Sequence, residues 1–158
     1  MKTRRAKIIG VISDTHGYIA ADVLKQLKKT DLILHAGDLD TPEVLSQLNT
    51  HGSVCAVRGN MDHGAWSSVL PLTEVIEVGD IIIYLIHDLN NLDLDPKAAG
   101  FDVVVHGHTH QPFSENRNGI LFLKPGSISY PRYRSPASMV FLNIRGSDIS
   151  ASFIEVKD

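Results

Sequence analysis

The sequence predicts an α/β fold of two packed sheets flanked by helices, and three observations predict it. Apolar strand-like runs alternate with amphipathic helical segments from Ile8 to Asn60, as parallel βαβ units do. Beyond Pro71 the pattern turns β-rich, with a hairpin and further strands separated by glycine-bearing turns. Polar residues suited to a site recur where apolar strands end, which is where sites collect in open α/β sheets.

Ile8 to Ile12 is a continuous apolar run ending in Ser13-Asp14, which suits a strand buried on both faces. In the helix that follows, Val23, Leu24 and Leu27 form the apolar face while Lys25, Lys28 and Lys29 stay in water. Asp31 to His35 reads as a second buried strand. Thr41-Pro42-Glu43 supplies an N-cap, a first-turn proline and a first-turn acid for a helix to about Leu48. Ser53 to Val57 makes a third strand, and Arg58-Gly59-Asn60 turns out of it. Leu72 to Val78 and Ile81 to His87 pair as a hairpin across Gly79-Asp80. Asp95 to Gly100 holds one short helix, and Val103 to Val105 is a strand ending at a histidine cluster. Ile120 to Leu123, Ser138 to Ile144 and Ile149 to Val156 complete the strands.

A length of 158 residues fits one domain over 1–158, long enough to bury a core. With 43% hydrophobic and 21% charged residues, neither disorder nor a fibrous class is indicated. The longest apolar run, Ile81 to Ile86, is too short for a membrane span, so no membrane partner is expected. A net charge of −3 gives no reason to expect a nucleic-acid polymer, which leaves a small substrate. The basic start at Met1 carries no secretory cleavage pattern, and one cysteine makes no internal disulfide, so the cytoplasm is the expected compartment. An apolar edge among the C-terminal strands would allow a homo-oligomer.

Short dispersed stretches carry one chemistry: Asp14-x-His16, Gly37-Asp38, Gly59-Asn60, His87 and Gly107-His108-Thr109-His110. Two adjacent divalent ions need a bridging carboxylate, neutral imidazoles and an open position for water or phosphate, and this set supplies them. Taken singly, Asp-x-His-Gly and Gly-Asp are ordinary turn or cap sequences, and a His pair also occurs in solvated loops. Their recurrence after apolar strands is what points to a metal centre.

The ordered series, from Ile8 to about Arg132, resembles the calcineurin-like metallophosphoesterases, specifically their small bacterial and archaeal phosphodiesterases. The resemblance implies a four-layer α/β/β/α sandwich of two mixed sheets. It implies that Asp14, His16 and His110 form one metal site with Asp38, and that Asp38 bridges to a second made by Asn60, His87 and His108. The activity it implies is hydrolysis of a small phosphodiester by in-line attack of a dimetal-bridging hydroxide. Two divalent ions are the expected cofactors: manganese first, with iron, nickel or zinc as alternatives, because the donor set lacks thiolate. His106 and His35 would support the ligands from behind, and His51 reads as a helix-end surface residue.

Several positions depart from the family pattern. Gly-Asn is often followed by a histidine that protonates the leaving group; here Met61 follows, so substrates with good leaving groups are favoured. His63 either substitutes for that donor or is an exposed loop residue. Asp62 orients a neighbour, contacts substrate or caps the turn; with Asn60 and His63 it completes the candidate catalytic residues. Asp88 stands where the family has glycine and reads as the start of a polar loop, or as a carboxylate near site two. Lys124 replaces an asparagine before Pro125-Gly126-Ser127, and either turns outward or approaches the site. Arg58 either holds a phosphate or pairs with a surface acid. Trp66 reads as buried against a sheet edge, and Cys55 as a small core residue.

The same fold also serves a different class of function, since the small subunit of the retromer coat is a scaffold relative with a vestigial metal site. Every expected ligand position is filled here, which favours the enzyme. A metal-binding regulator without turnover is a third reading.

Overall fold

The computed structural model describes residues 5–132 and 134–157; the basic start through Arg4 lies outside them. Among the described residues, ten strands form two mixed five-stranded sheets. The first sheet has the order β10-β9-β1-β2-β3, from β1 (Lys7–Ile12), β2 (Leu32–His35), β3 (Val54–Ala56), β9 (Ser138–Arg145) and β10 (Asp148–Glu155). The second has the order β4-β5-β6-β8-β7, from β4 (Thr73–Val78), β5 (Ile81–Ile86), β6 (Val103–Val105), β7 (Pro112–Arg117) and β8 (Ile120–Pro125). β1, β2 and β3 run parallel in one sheet, and β5, β6 and β8 in the other.

Alternation along each strand sorts side chains into layers. Ile9, Val11 and Leu34 of the first sheet meet Ile83, Leu85, Val103, Val105 and Leu123 of the second in the inner core. On the outer face of the first sheet, Ile12, Ile33 and Met139 pack against Val23 and Leu27 of α1 (Ala21–Leu27) and Val44 and Leu48 of α2 (Pro42–Asn49). Each such fully buried Leu or Ile contributes about 1.5–3 kcal/mol of transfer free energy. On the outer face of the second sheet, Tyr84, Val104 and Phe122 are covered by Leu89, Leu92 and Phe101. The architecture is the α/β/β/α sandwich that the sequence predicts.

Three local details differ from the sequence reading. Asp95 to Gly100 forms a hydrogen-bonded turn instead of a helix, closed by Ala99 N–H to Asp95 C=O, so the fourth layer is this turn plus a 3-10 segment at Leu89–Asn91. β7 has no apolar alternation to announce it: five of its six residues are exposed, and its pairing to β8 is what makes it a strand. Thr41 takes the N-cap position of α2, but its hydroxyl makes no capping bond, leaving Pro42 and Glu43 to set the first turn. The β4–β5 hairpin turns at Gly79 with φ +59°, as a two-residue turn requires.

Five carboxyl ends of the parallel strands lie at one edge of the sandwich. They release Ser13-Asp14 after β1, Gly37-Asp38 after β2, Gly59-Asn60 after β3, His87 after β5 and Gly107 to His110 after β6.

Candidate metal centre

Backbone bonds lace these loops together. Asp14 N–H donates to Gly37 C=O, His16 N–H to Asp38 C=O, and Gly107 N–H to His87 C=O. The approach is close enough to need glycine. A Cβ at Gly107 would collide with Ser13 Oγ and stand 2.8 Å from Asp14 Oδ2, and one at Gly37 would stand 2.6 Å from the His87 ring. The loops also bend sharply: Asp14, His16, Asp38, Asp40, His108 and His110 all have positive φ, between +47° and +75°. Asp and His tolerate this region better than most residues, at about 1 kcal/mol or more each.

Two groups of donors result. In the first, His16 Nε2 and His110 Nε2 are 3.1 Å apart, with Asp14 Oδ1 3.4 Å from His110 Nε2. In the second, His87 Nε2 lies 2.9 Å from Asn60 Oδ1, and His108 Nδ1 lies 3.1 Å from the same oxygen. Asp38 Oδ2 is 3.3 Å from His87 Nε2 and 3.9 Å from His16 Nε2, so it stands between the groups. All seven residues that the family resemblance names as ligands are thus brought together.

Tautomers follow from the other ring nitrogens. A carbonyl oxygen only accepts, so His110 Nδ1–H donates to Tyr130 C=O (2.6 Å) and His87 Nδ1–H to Ala36 C=O (2.7 Å). His16 Nδ1 faces both oxygens of Asp40, at 3.1 and 3.2 Å. The Nε2 lone pairs of His16 and His110 therefore point at one another, an arrangement that a cation between them resolves. Asp14 Oδ1 beside them is buried without a hydrogen-bond partner among the described residues. An orphaned carboxylate oxygen and converging imidazole lone pairs fit divalent metal ions, and oxygen and nitrogen donors without sulfur suit the harder transition metals.

The electrostatics agree. Burial opposes ionisation of Asp14, but the His110 imidazole 3.4 Å from Oδ1, the Ser13 hydroxyl bonded to Oδ2 and the nearby His87 outweigh it, holding its pKa below the ordinary value. Asp38 is lowered similarly: burial opposes ionisation, and His87 and the Met61 N–H overcome it. His87 is raised, because Asp38 offsets the penalty of burial, and His110 is raised chiefly by Asp14.

His35 is fully buried, and burial lowers its pKa to about 3. Its Nδ1 accepts from Gly37 N–H and its Nε2–H meets Thr15 Oγ1, so it braces the turn that carries Asp38. Burial lowers His106 to about 4, and its Nε2 has no partner among the described residues. Asp62 is also buried, and its two oxygens accept three backbone N–H groups, from Asp38, Asp40 and Gly59. That ties the loop after β3 to the loop after β2 and makes Asp62 a positioning residue. His63 is exposed and belongs to neither donor group.

Other sequence readings resolve. Lys124 turns inward, donating to Thr109 Oγ1 at 3.0 Å between the two cluster histidines. Asp88 does both things expected of it: Oδ1 accepts Asn90 N–H, and Oδ2 lies 3.8 Å from His108 Nε2. Arg58 has no acid partner among the described residues, against the surface-pair reading, and instead lines a cavity beside Asn60. Trp66 packs against the α-helical core layer, Cys55 is half-buried against the inner core, and His51 sits at the end of α2 bonded to Gln47 C=O. Sequence reasoning missed Asp40 and the Tyr130 carbonyl. Asp40 had a signal, a second acid two residues beyond Asp38; a backbone carbonyl has none.

Residues 8–147 match the model of the calcineurin-like phosphoesterase superfamily domain. A probable metallophosphoesterase of Methanocaldococcus jannaschii is 41% identical over 138 residues, covering 79% of this chain and 70% of that protein. An Escherichia coli phosphodiesterase is 35% identical over 96 residues, covering 57% of this chain and 52% of its own length. Among solved structures, Vacuolar Protein Sorting 29 from Cryptosporidium parvum superposes with a TM-score of 0.82 at 21% identity, covering 97% of this chain and 93% of that one, a likeness of fold alone.

Proposed function

The chain belongs to the calcineurin-like phosphoesterase superfamily, and from that premise we propose a dinuclear metal-dependent phosphodiesterase acting on small diesters. The observation that carries the reading is the pair of donor groups, Asp14-His16-His110 and Asp38-His87-His108, with Asp38 Oδ2 3.9 Å from His16 of the first and an unpartnered Asp14 oxygen inside it. Asp14, His16, Asp38 and His110 would hold one ion, and Asp38, Asn60, His87 and His108 the other, with manganese the first metal to try. Bound there, two divalent ions supply a nucleophile at neutral pH by lowering the pKa of water, and offset charge on phosphoryl oxygens.

The protein's own contribution is positional. His110 and His87 are locked by backbone carbonyls, His16 by Asp40, and the Asp38 turn by Asp62 and His35, so the donors need little reorganisation during turnover. Met61, at the position that often carries a proton donor, has no proton to give. The leaving group then departs largely on its own acidity, which favours aryl and other activated esters. His63, exposed on the same loop, is the candidate to protonate poorer leaving groups; His63→Ala would then slow those selectively, and an equal effect on good and poor leaving groups would count against that role. The diester preference is further supported by the phosphodiesterase name of the Escherichia coli relative.

The test is hydrolysis of bis(4-nitrophenyl) phosphate and 4-nitrophenyl phosphate by chelator-stripped protein, with and without Mn²⁺, alongside Asp38→Ala. Metal-stimulated cleavage of the diester above the monoester is expected. Wild-type cleavage no faster than the Asp38→Ala background would end the enzyme reading, and a faster monoester would reverse the substrate class.

A further inference from the structure

A cavity of about 470 Å³ borders the second donor group, with Asn60 and His87 in its lining. It runs outward between the start of β4 and the segment Asp88 to Asp93, and its volume lies within the range of small-molecule sites. A phosphoryl group with a small alkyl arm would leave most of it to water. Leu72, Tyr84 and Ile86 give it an apolar wall. Tyr84 and Ile86 are buried, whereas Leu72 is 62% exposed at the mouth, an apolar side chain left in water. Asp88, Asn91 and Asp93 line it too, adding two carboxylates and an amide whose oxygens can accept hydrogen bonds.

The wall and these acceptors ask for an arm with two sides, one flat and apolar, the other bearing hydrogen-bond donors. A nucleoside has both: its base can lie on the exposed Leu72 side chain while sugar hydroxyls donate to the carboxylates and amide. The charge balance sharpens the choice. Two carboxylates and the single guanidinium of Arg58 line the cavity, so an arm carrying a further phosphate meets net repulsion away from the donor groups. We infer that this cavity is the subsite for the nucleoside arm of a phosphodiester and discriminates against arms bearing a second phosphate. The inference rests on the phosphodiesterase reading above and adds to it the identity of the arm.

Three substrates with the same 4-nitrophenol leaving group test it. These are methyl 4-nitrophenyl phosphate, the 4-nitrophenyl ester of thymidine 5′-phosphate, and the same ester carrying a 3′-phosphate. For the manganese-loaded wild type, kcat/KM for the thymidine ester should exceed that of the methyl ester by about tenfold or more. The 3′-phosphorylated ester should lose most of that gain. Asn91→Trp, an exposed position whose larger side chain fills the groove, should bring the thymidine-to-methyl ratio close to one, mainly through KM. Asp93→Lys, also exposed, should restore the 3′-phosphorylated ester relative to the thymidine ester. If bis(4-nitrophenyl) phosphate is cleaved but the thymidine ester gains nothing, or its gain survives Asn91→Trp, the subsite is wrong and the phosphodiesterase reading stands. If no diester is cleaved, that reading fails first and this one with it.

Discussion

The two donor groups lie on either side of Asp38 yet are built to different tolerances. In the first, every side chain is braced: His110 against a carbonyl, His16 against both oxygens of Asp40, and Asp14 by Ser13 Oγ–H and His108 N–H at Oδ2. In the second, His87 is braced as firmly, but the His108 side chain is 40% exposed, with its nearest carboxylate, Asp88, at 3.8 Å. The second group also opens into the large cavity. The difference lies in how firmly the donors are held: on the proposed reading, an ion at the first group would be retained more tightly than one at the second, with Asp38 between them.

The widest effect should come from the shared residue. Asp38→Ala removes a donor from both groups, so metal content measured after dialysis should fall at both, and diester hydrolysis by about 10³-fold or more. Retention of a full complement of metal would show that Asp38 does not join them. Next in size is the bracing of the imidazoles. Asp40→Asn should weaken metal binding at the first group by about 10- to 100-fold, whereas Asp88→Asn should change the second by only a few-fold. Titration against a chromogenic chelator reads both constants, and equal losses would erase the contrast drawn above.

Proton competition should touch both groups. His87 and His110 are raised, one in each, and each must be deprotonated to bind metal, so affinity should fall as pH drops below neutrality, by up to about tenfold per pH unit for each imidazole. A flat affinity between pH 8 and 6 would contradict this. The smallest effect concerns stability of the metal-free protein. His106, lowered to about 4, favours folding above its unfolded pKa near 6.5, a contribution lost as pH falls towards 4. His35 behaves likewise down to about 3, while the raised His87 and His110 act in the opposite sense, stabilising below about 6.5 and losing that as pH rises. His106→Leu, which also removes an orphaned nitrogen, should lose less stability than wild type between pH 7 and 5 in urea melts. Parallel pH profiles would show that His106 is not charged on unfolding.

The layers were legible in the sequence because periodicity reports burial directly. Ile8 to Ile12 and Val103 to Val105 are apolar on both faces, and their strands lie between layers. β7 was not legible because Phe113 to Arg117 faces water and becomes a strand only through its partner. The donor residues announced themselves by type and by their place after strands. What braces them did not, because Asp40 reaches His16 across two loops and Tyr130 contributes only a backbone oxygen. Asp62 was half legible: capping of its own turn was among its sequence readings and is seen at Gly59 N–H, but its bonds to Asp38 and Asp40 N–H on another loop are ones no sequence pattern displays.

The positive φ angles at Asp14, His16, Asp38, His108 and His110 bear on how such a protein changes over evolutionary time. Glycine at His16 or His108 would lose a donor and relieve about 1 kcal/mol of backbone strain, whereas glycine at Asp14 or Asp38 would strand the His108 and Met61 N–H groups that their carboxylates accept, at about 1–3 kcal/mol each. The imidazole donors are therefore easier for the fold to lose than the carboxylates. A lineage in which the proposed activity was no longer selected would shed the strained histidines first and keep the two carboxylates longest.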